Sequence, residues 1–321
     1  MRRVWERVWP LLRVLVPLGI VAAVGWQFAR VLTRPELTAT PFELRPGWLV
    51  PAAGLYLLAL LVWASFWADL LRAHGVNVSR GLGLRVYFVS LLGKYIPGKA
   101  WVVLMRVGML RAHAPSRAAV ALAAAYETLT TMAAGALVGL LLLPSLGERA
   151  NIFAGKEGYL LLLVGLPLGV GLVHRLIARR SHRHHPAGSR PHFRLLMLAR
   201  GLAQASVGWG LIGLSLWATV EAVRPGPTVF TVTDLLRYTT MAALPYVLGF
   251  AALVVPGGVG VREWFVQALL AAELSAAMPP AEAEALGVVI ALVLRLVWTA
   301  GEVAVIAGIY AAGWRWGGRS R

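Results

Sequence analysis

The charged side chains best placed for chemistry in this 321-residue chain lie within or beside long apolar runs. Lys94 and Lys99 are two of only three lysines, and they flank a Pro97-Gly98 pair. Ammonium groups beside a broken helix can hold a phosphate as flexible point charges while freed backbone N–H groups share its charge. The plainer reading is that both lysines snorkel to the cytoplasmic interface. Arg106 can clamp a phosphate bidentately or act as an interfacial anchor. Glu127 falls about nine residues into the next apolar run, where an unpaired charge costs about 2.5–3.5 kcal/mol. Arg295 and Glu302, seven residues apart, share a helix face in the last run. These three read either as a salt-bridge set locking a bundle or as walls of a polar cavity. In the cavity reading Arg295 meets an anionic headgroup, and Glu127 or Glu302 takes up a proton, since burial disfavours the charged form. Glu263 opens a helix after a second break, Pro256-Gly257-Gly258-Val259-Gly260, where the helix N-terminal dipole favours a carboxylate.

Such residues need elements that keep them from lipid. Hydrophobic residues make up 59% of the chain and charged residues 14%, against about 45–50% and about 25% in soluble domains. Several apolar runs exceed the roughly 20 residues a spanning helix needs. The expected fold is an all-α integral membrane protein. The net charge of +17 reads as positive-inside loops and attraction to anionic lipid, and no nucleic-acid module is expected. With no cysteine and only Asp69 and Asp234 as aspartates, thiolate chemistry and Asp-X-Asp metal sites are excluded. The tract from His182 to His185 reads as solvated charge, so neither metal nor cofactor is expected. Glycines 257, 258 and 260 lack a βαβ setting and do not indicate a nucleotide.

Six full spans are expected at about 11–32, 47–71, 118–143, 158–178, 195–222 and 286–312. Arg2, Arg3, Arg7 and Arg13 put the N-terminus in the cytoplasm. Arg72, Arg80 and Arg85, the basic loop 175–194 and the C-terminal Arg315, Arg319 and Arg321 fall on the same side. Backbone that cannot stay helical cannot face lipid, because its polar groups would go unpaired. The segment at about 86–111 has both ends cytoplasmic and arms too short to cross, so it reads as a re-entrant hairpin. The segment at about 238–273 has both ends outside and reads likewise, with two true spans (eight in all) as the alternative. One polytopic domain over 1–321 then holds two pseudo-repeats, about 47–143 and 195–312, in inverted topology.

The string Leu91-Leu92-Gly93-Lys94-Tyr95-Ile96-Pro97-Gly98-Lys99-Ala100-Trp101, then Arg106, Tyr126-Glu127, Pro256-Gly257-Gly258-Val259-Gly260-Val261-Arg262-Glu263 and Arg295 carry a resemblance. In this order they resemble the transmembrane flippase domain of lysylphosphatidylglycerol synthetases, over roughly residues 10–315. The resemblance implies a lipid-translocating domain with re-entrant helices around a central cavity. It marks Lys94, Pro97, Gly98, Lys99, Arg106, Glu127, Pro256 to Gly258, Gly260, Glu263 and Arg295 as motif positions. Bifunctional members carry a soluble synthase domain after the last span. Its absence after Arg321 implies that synthase activity is missing here.

The expectation is therefore a flippase of the bacterial cytoplasmic membrane that moves an anionic phospholipid or lipid-linked headgroup. Lys94, Lys99, Arg106 and Arg295 would contact the headgroup, and Glu127, Glu263 and Glu302 would couple or gate. Pro97, Gly98, Pro256, Gly257, Gly258 and Gly260 would form the breaks. A membrane-embedded transferase or an accessory protein of lipid or glycolipid synthesis is the competing reading. In the latter, a cytoplasmic partner docks at 175–194.

Overall fold

The computed structural model describes residues 44–95, 100–153, 195–224, 229–251 and 261–312. The expected spans 11–32 and 158–178 and the loop 175–194 lie outside these residues. So do Pro97, Gly98, Lys99, Pro256, Gly257, Gly258 and Gly260.

All the described secondary structure is helical. After a 3-10 turn at Pro46–Trp48 comes α1 (Leu49–Ala73), followed by the short α2 (Arg80–Ser90) and a 3-10 segment, Leu91–Tyr95. Next are α3 (Trp101–Met109), α4 (Arg117–Leu141) and a second 3-10 segment, Leu143–Phe153. The second half holds α5 (Leu195–Val223), α6 (Val232–Ala251), α7 (Val261–Leu274) and α8 (Pro280–Ala311). Among the described residues α1, α4, α5 and α8 are long and apolar enough to cross a membrane. Each half thus runs long helix, broken pair, long helix.

Local chemistry explains several boundaries. Ser79 caps α2 by accepting from the Leu82 N–H at 3.2 Å, and Ser116 caps α4 through Ala119 at 3.1 Å. Thr231 and Asp234 exchange hydrogen bonds across the first turn of α6, a reciprocal cap. The last helix starts at Pro280, not near residue 286 as expected. Prolines preset a first turn, and the polar Glu282 and Glu284 are exposed helix positions, not loop.

The long helices approach closely because small residues face large ones, the usual device where lipid supplies no hydrophobic drive. Helices α1 and α5 run antiparallel, with Gly201 under Phe66, Gly208 under Trp63 and the Ser215 hydroxyl donating to Ala52 O at 2.7 Å. The first long helix described in each half thus runs opposite to the other. Two buried indoles are tied to oxygens of neighbouring helices: Trp209 donates to Thr131 O at 2.9 Å and Trp298 to Ser215 Oγ at 3.0 Å. On the outside, Val50, Leu141, Leu196 and Val207 are exposed apolar groups, as suits a surface that faces lipid.

Both broken pairs turn back on themselves. Arg106 of α3 lies across from Ser90 of α2, and a Cβ placed on Gly93 would sit 2.7 Å from Val102 N. Only glycine lets the two backbones pass so closely. Helices α6 and α7 are likewise side by side, with Gly249 against Arg262 and Arg237 of α6 pairing Glu273 of α7 at 3.5 Å.

Candidate functional site

Two turns of α8, from Arg295 to Glu302, collect charged and aromatic groups from both broken pairs. On the side of the first break, Glu302 is only 1% exposed. Its Oε1 accepts from Lys94 Nζ and from the Tyr56 hydroxyl, and its Oε2 accepts from the Tyr95 hydroxyl at 3.0 Å. Tyr95 also reaches Thr299 Oγ1, at 3.2 Å. A carboxylate this deep is tolerated where it is paired and hydrogen-bonded, and Glu302 is both.

On the side of the second break, Glu263 stands in the first turn of α7, as expected. Its Oε1 accepts from Arg295 Nη1 at 2.6 Å and from Arg262 Nη2 at 2.9 Å. The Arg262 guanidinium lies over the rings of Tyr246 and Trp298, at 5.1 and 5.7 Å from their centroids. These residues line a cleft with Ala242, Val266, Ala291 and Leu294. The lining carries two cations and one anion among aromatic and apolar side chains.

Tyr56 of α1 joins the two sides. Its ring stacks on Trp298, centroids 4.7 Å apart and planes within 8°, while its hydroxyl donates to Glu302. Both broken pairs thus contact the same stretch of α8.

A second buried cluster lies between α2, α3 and α4. Arg106, 2% exposed, donates through Nη1 to Glu127 Oε2 at 2.9 Å and through Nε to Ser90 Oγ at 3.1 Å. Tyr87 donates to Glu127 Oε1 at 3.3 Å, and the guanidinium lies 4.6 Å from the Trp67 ring and 4.5 Å from that of Tyr87. Arg106, read from the sequence as a headgroup contact or an interfacial anchor, is buried in this arrangement. It neutralises Glu127 inside an aromatic cage.

The sequence-derived charged residues that are described fall into three ion pairs: Lys94–Glu302, Arg106–Glu127 and Arg295–Glu263. Arg295 and Glu302 share a helix but bond different partners. Sequence reasoning missed Tyr56, Tyr87, Tyr95, Tyr246, Arg262 and Trp298. Arg262 had a signal, since it precedes Glu263 at the start of α7. Among the described residues no group of three or more metal-ligating side chains occurs.

The family model described as "Lysylphosphatidylglycerol synthase TM region" matches residues 12–301. No curated protein matches the chain.

Proposed function

This chain belongs to the family of lysylphosphatidylglycerol synthase transmembrane regions, and from that premise we propose that it moves a phospholipid between the leaflets of the bacterial cytoplasmic membrane. Membership together with the apolar helices makes it a multi-pass membrane protein, in a family tied to lipid metabolism or transport. The finer reading rests on one observation. The Arg295–Glu302 stretch gathers a cationic cleft at the second break and a buried carboxylate latched to the first.

In the proposed cycle the two broken pairs dip in from opposite faces as re-entrant hairpins, with both termini cytoplasmic. An anionic headgroup enters the cleft against Arg295 and Arg262 while its acyl chains stay in the bilayer. Rocking of one half against the other then changes which leaflet the cleft faces. Tyr56, stacked on Trp298 and bonded to Glu302, is the part that transmits motion between the two hairpins. We assign Lys94 and Glu302 to a latch between the first break and α8, and Arg106 and Glu127 to its anchorage.

The test is reconstitution in vesicles carrying a fluorescent phosphatidylglycerol in both leaflets. Membrane-impermeant reductant bleaches about half the signal in empty vesicles, because only the outer leaflet is reached. Wild-type protein is expected to carry bleaching well beyond that half, and Arg295→Ala to return it to the empty-vesicle level. Equal bleaching by wild type and empty vesicles would end this reading. A transferase is the competing class. Glu127 and Glu263 are both held by guanidiniums, an arrangement that suits carrying charge better than abstracting a proton.

A further inference from the structure

In the cleft at the second break a single carboxylate oxygen, Glu263 Oε1, accepts from two guanidiniums at 2.6 and 2.9 Å. The two arginines arrive from different helices, Arg295 from α8 and Arg262 from α7. Two separate cations converging on one oxygen is the arrangement that would also receive one acidic oxygen of a phosphate. The geometry points to Glu263 as an internal stand-in for the ligand: its carboxylate holds the seat that the phosphodiester monoanion of a phospholipid takes on binding. This deepens the transport reading above and rests on it for the word phospholipid.

The lining chooses the class, and a phosphate that carries a glycerolipid on one side and a headgroup on the other is a diester monoanion. The arginines and the glutamate are 16–23% exposed at their side chains. The seat is therefore reachable, but it is not bulk water. Around it stand Tyr246, Trp298, Val266 and Leu294, a lining that favours a glycerolipid over a free phosphate. The cation–π contacts of Arg262 with Tyr246 and Trp298 hold that guanidinium in place when its carboxylate partner leaves.

The stand-in has a mechanistic use. Empty, two converging arginines would repel each other and scatter; with Glu263 between them the seat stays assembled and ready. It also keeps affinity low, since the ligand must displace a bound anion before it gains the same contacts. A carrier that must release its cargo on the far side benefits from that competition.

Binding measured without transport separates this inference from the functional proposal. The purified full chain in detergent is titrated with dihexanoylphosphatidylglycerol, with glycerophosphoglycerol, which is the same diester without acyl chains, and with inorganic phosphate. Tryptophan fluorescence is the readout. Glu263→Gln keeps the size of the side chain and removes the competing charge. It is expected to tighten dihexanoylphosphatidylglycerol by about tenfold, equal to one charge-assisted contact no longer displaced. Glu263→Asp keeps the charge on a shorter arm and is expected to fall between wild type and Glu263→Gln. Arg262→Gln and Arg295→Gln should each lose binding. Glycerophosphoglycerol is expected to bind at least about tenfold more weakly than the lipid; equal binding of the two, or tighter binding of inorganic phosphate, overturns the lipid assignment. Glu263→Gln that binds no tighter than wild type while melting at the same temperature overturns the stand-in. If Glu263→Gln loses its fold, the Glu263→Asp titration decides: affinity at or below wild type overturns the inference. Tighter binding by Glu263→Gln together with no lipid movement by either protein supports the seat and removes the transport reading.

Discussion

At the scale of residues the polar groups divide by how they would respond to loss of a partner. Arg106 and Glu127 are both nearly sealed from solvent, at 2% and 4% exposure. Removing one orphans a charge at depth, so Glu127→Ala is expected to cost about 3–5 kcal/mol, seen as a fall in melting temperature in detergent. The double change Arg106→Met with Glu127→Met removes both charges and should recover most of that loss. The Lys94–Glu302 pair is lopsided, because the lysine side chain is 31% exposed and the carboxylate 1%. Lys94→Ala leaves a buried carboxylate without its cation, whereas Glu302→Gln leaves an ammonium that can snorkel towards water. Lys94→Ala should therefore lower the melting temperature more than Glu302→Gln does; the reverse order would contradict the latch as described. None of these partnerships was readable from spacing alone. Arg295 and Glu302 sit two turns apart on one face, yet each is claimed by a side chain from another helix. Tyrosines such as Tyr56 and Tyr95 look like ordinary core or interfacial residues until a partner is seen.

Among elements, the long helices follow directly from apolar length. Expected spans at 47–71, 118–143 and 195–222 correspond closely to α1, α4 and α5, and the last span differs mainly at its proline-led start. The pairing of shorter helices between the long ones was anticipated from the Pro-Gly strings, which disfavour a continuous helix; the strings themselves lie outside the described residues. The packing of those shorter helices was not, since it depends on which small residue meets which backbone. Gly93 shows the point: it stands in the motif string, yet only the structure reveals that the crossing of the two arms at Val102 depends on it. Gly93→Val is expected to destabilise the fold by about 1–3 kcal/mol through overpacking. In the vesicle assay it should also slow lipid movement. By contrast Gly54→Ala, where an added Cβ meets no atom within 4 Å, should leave both readouts at wild-type values. Loss of the Ser116 cap by Ser116→Ala should cost about 1 kcal/mol at the start of α4, checked by the same melting measurement.

For the molecule as a whole, the two halves are tied together at more than the bundle core. Arg149, in the 3-10 segment after α4, pairs Glu273 of α7 at 2.8 Å, and Arg237 of α6 donates to Ser145 O at 3.2 Å. The end of the first half is thus braced against both arms of the second broken pair. In the proposed cycle, rocking of one half would have to work around this brace, with the moving boundary nearer Tyr56 and α8. The central claim is that the two breaks enter from opposite faces and neither passes through. The native chain contains no cysteine, so single cysteines can be labelled without background. Membrane-impermeant thiol reagent applied to sealed vesicles from each side tests Arg80→Cys and Arg111→Cys at the ends of the first segment. Thr233→Cys and Ala276→Cys mark the ends of the second, with Gly98→Cys and Gly258→Cys at the breaks. The account predicts that both ends of the first segment label from the cytoplasmic side only and both ends of the second from the outer side only. It also predicts that neither break labels from the face opposite its own ends. Free labelling of Gly98→Cys from outside, or of Gly258→Cys from the cytoplasm, would contradict it.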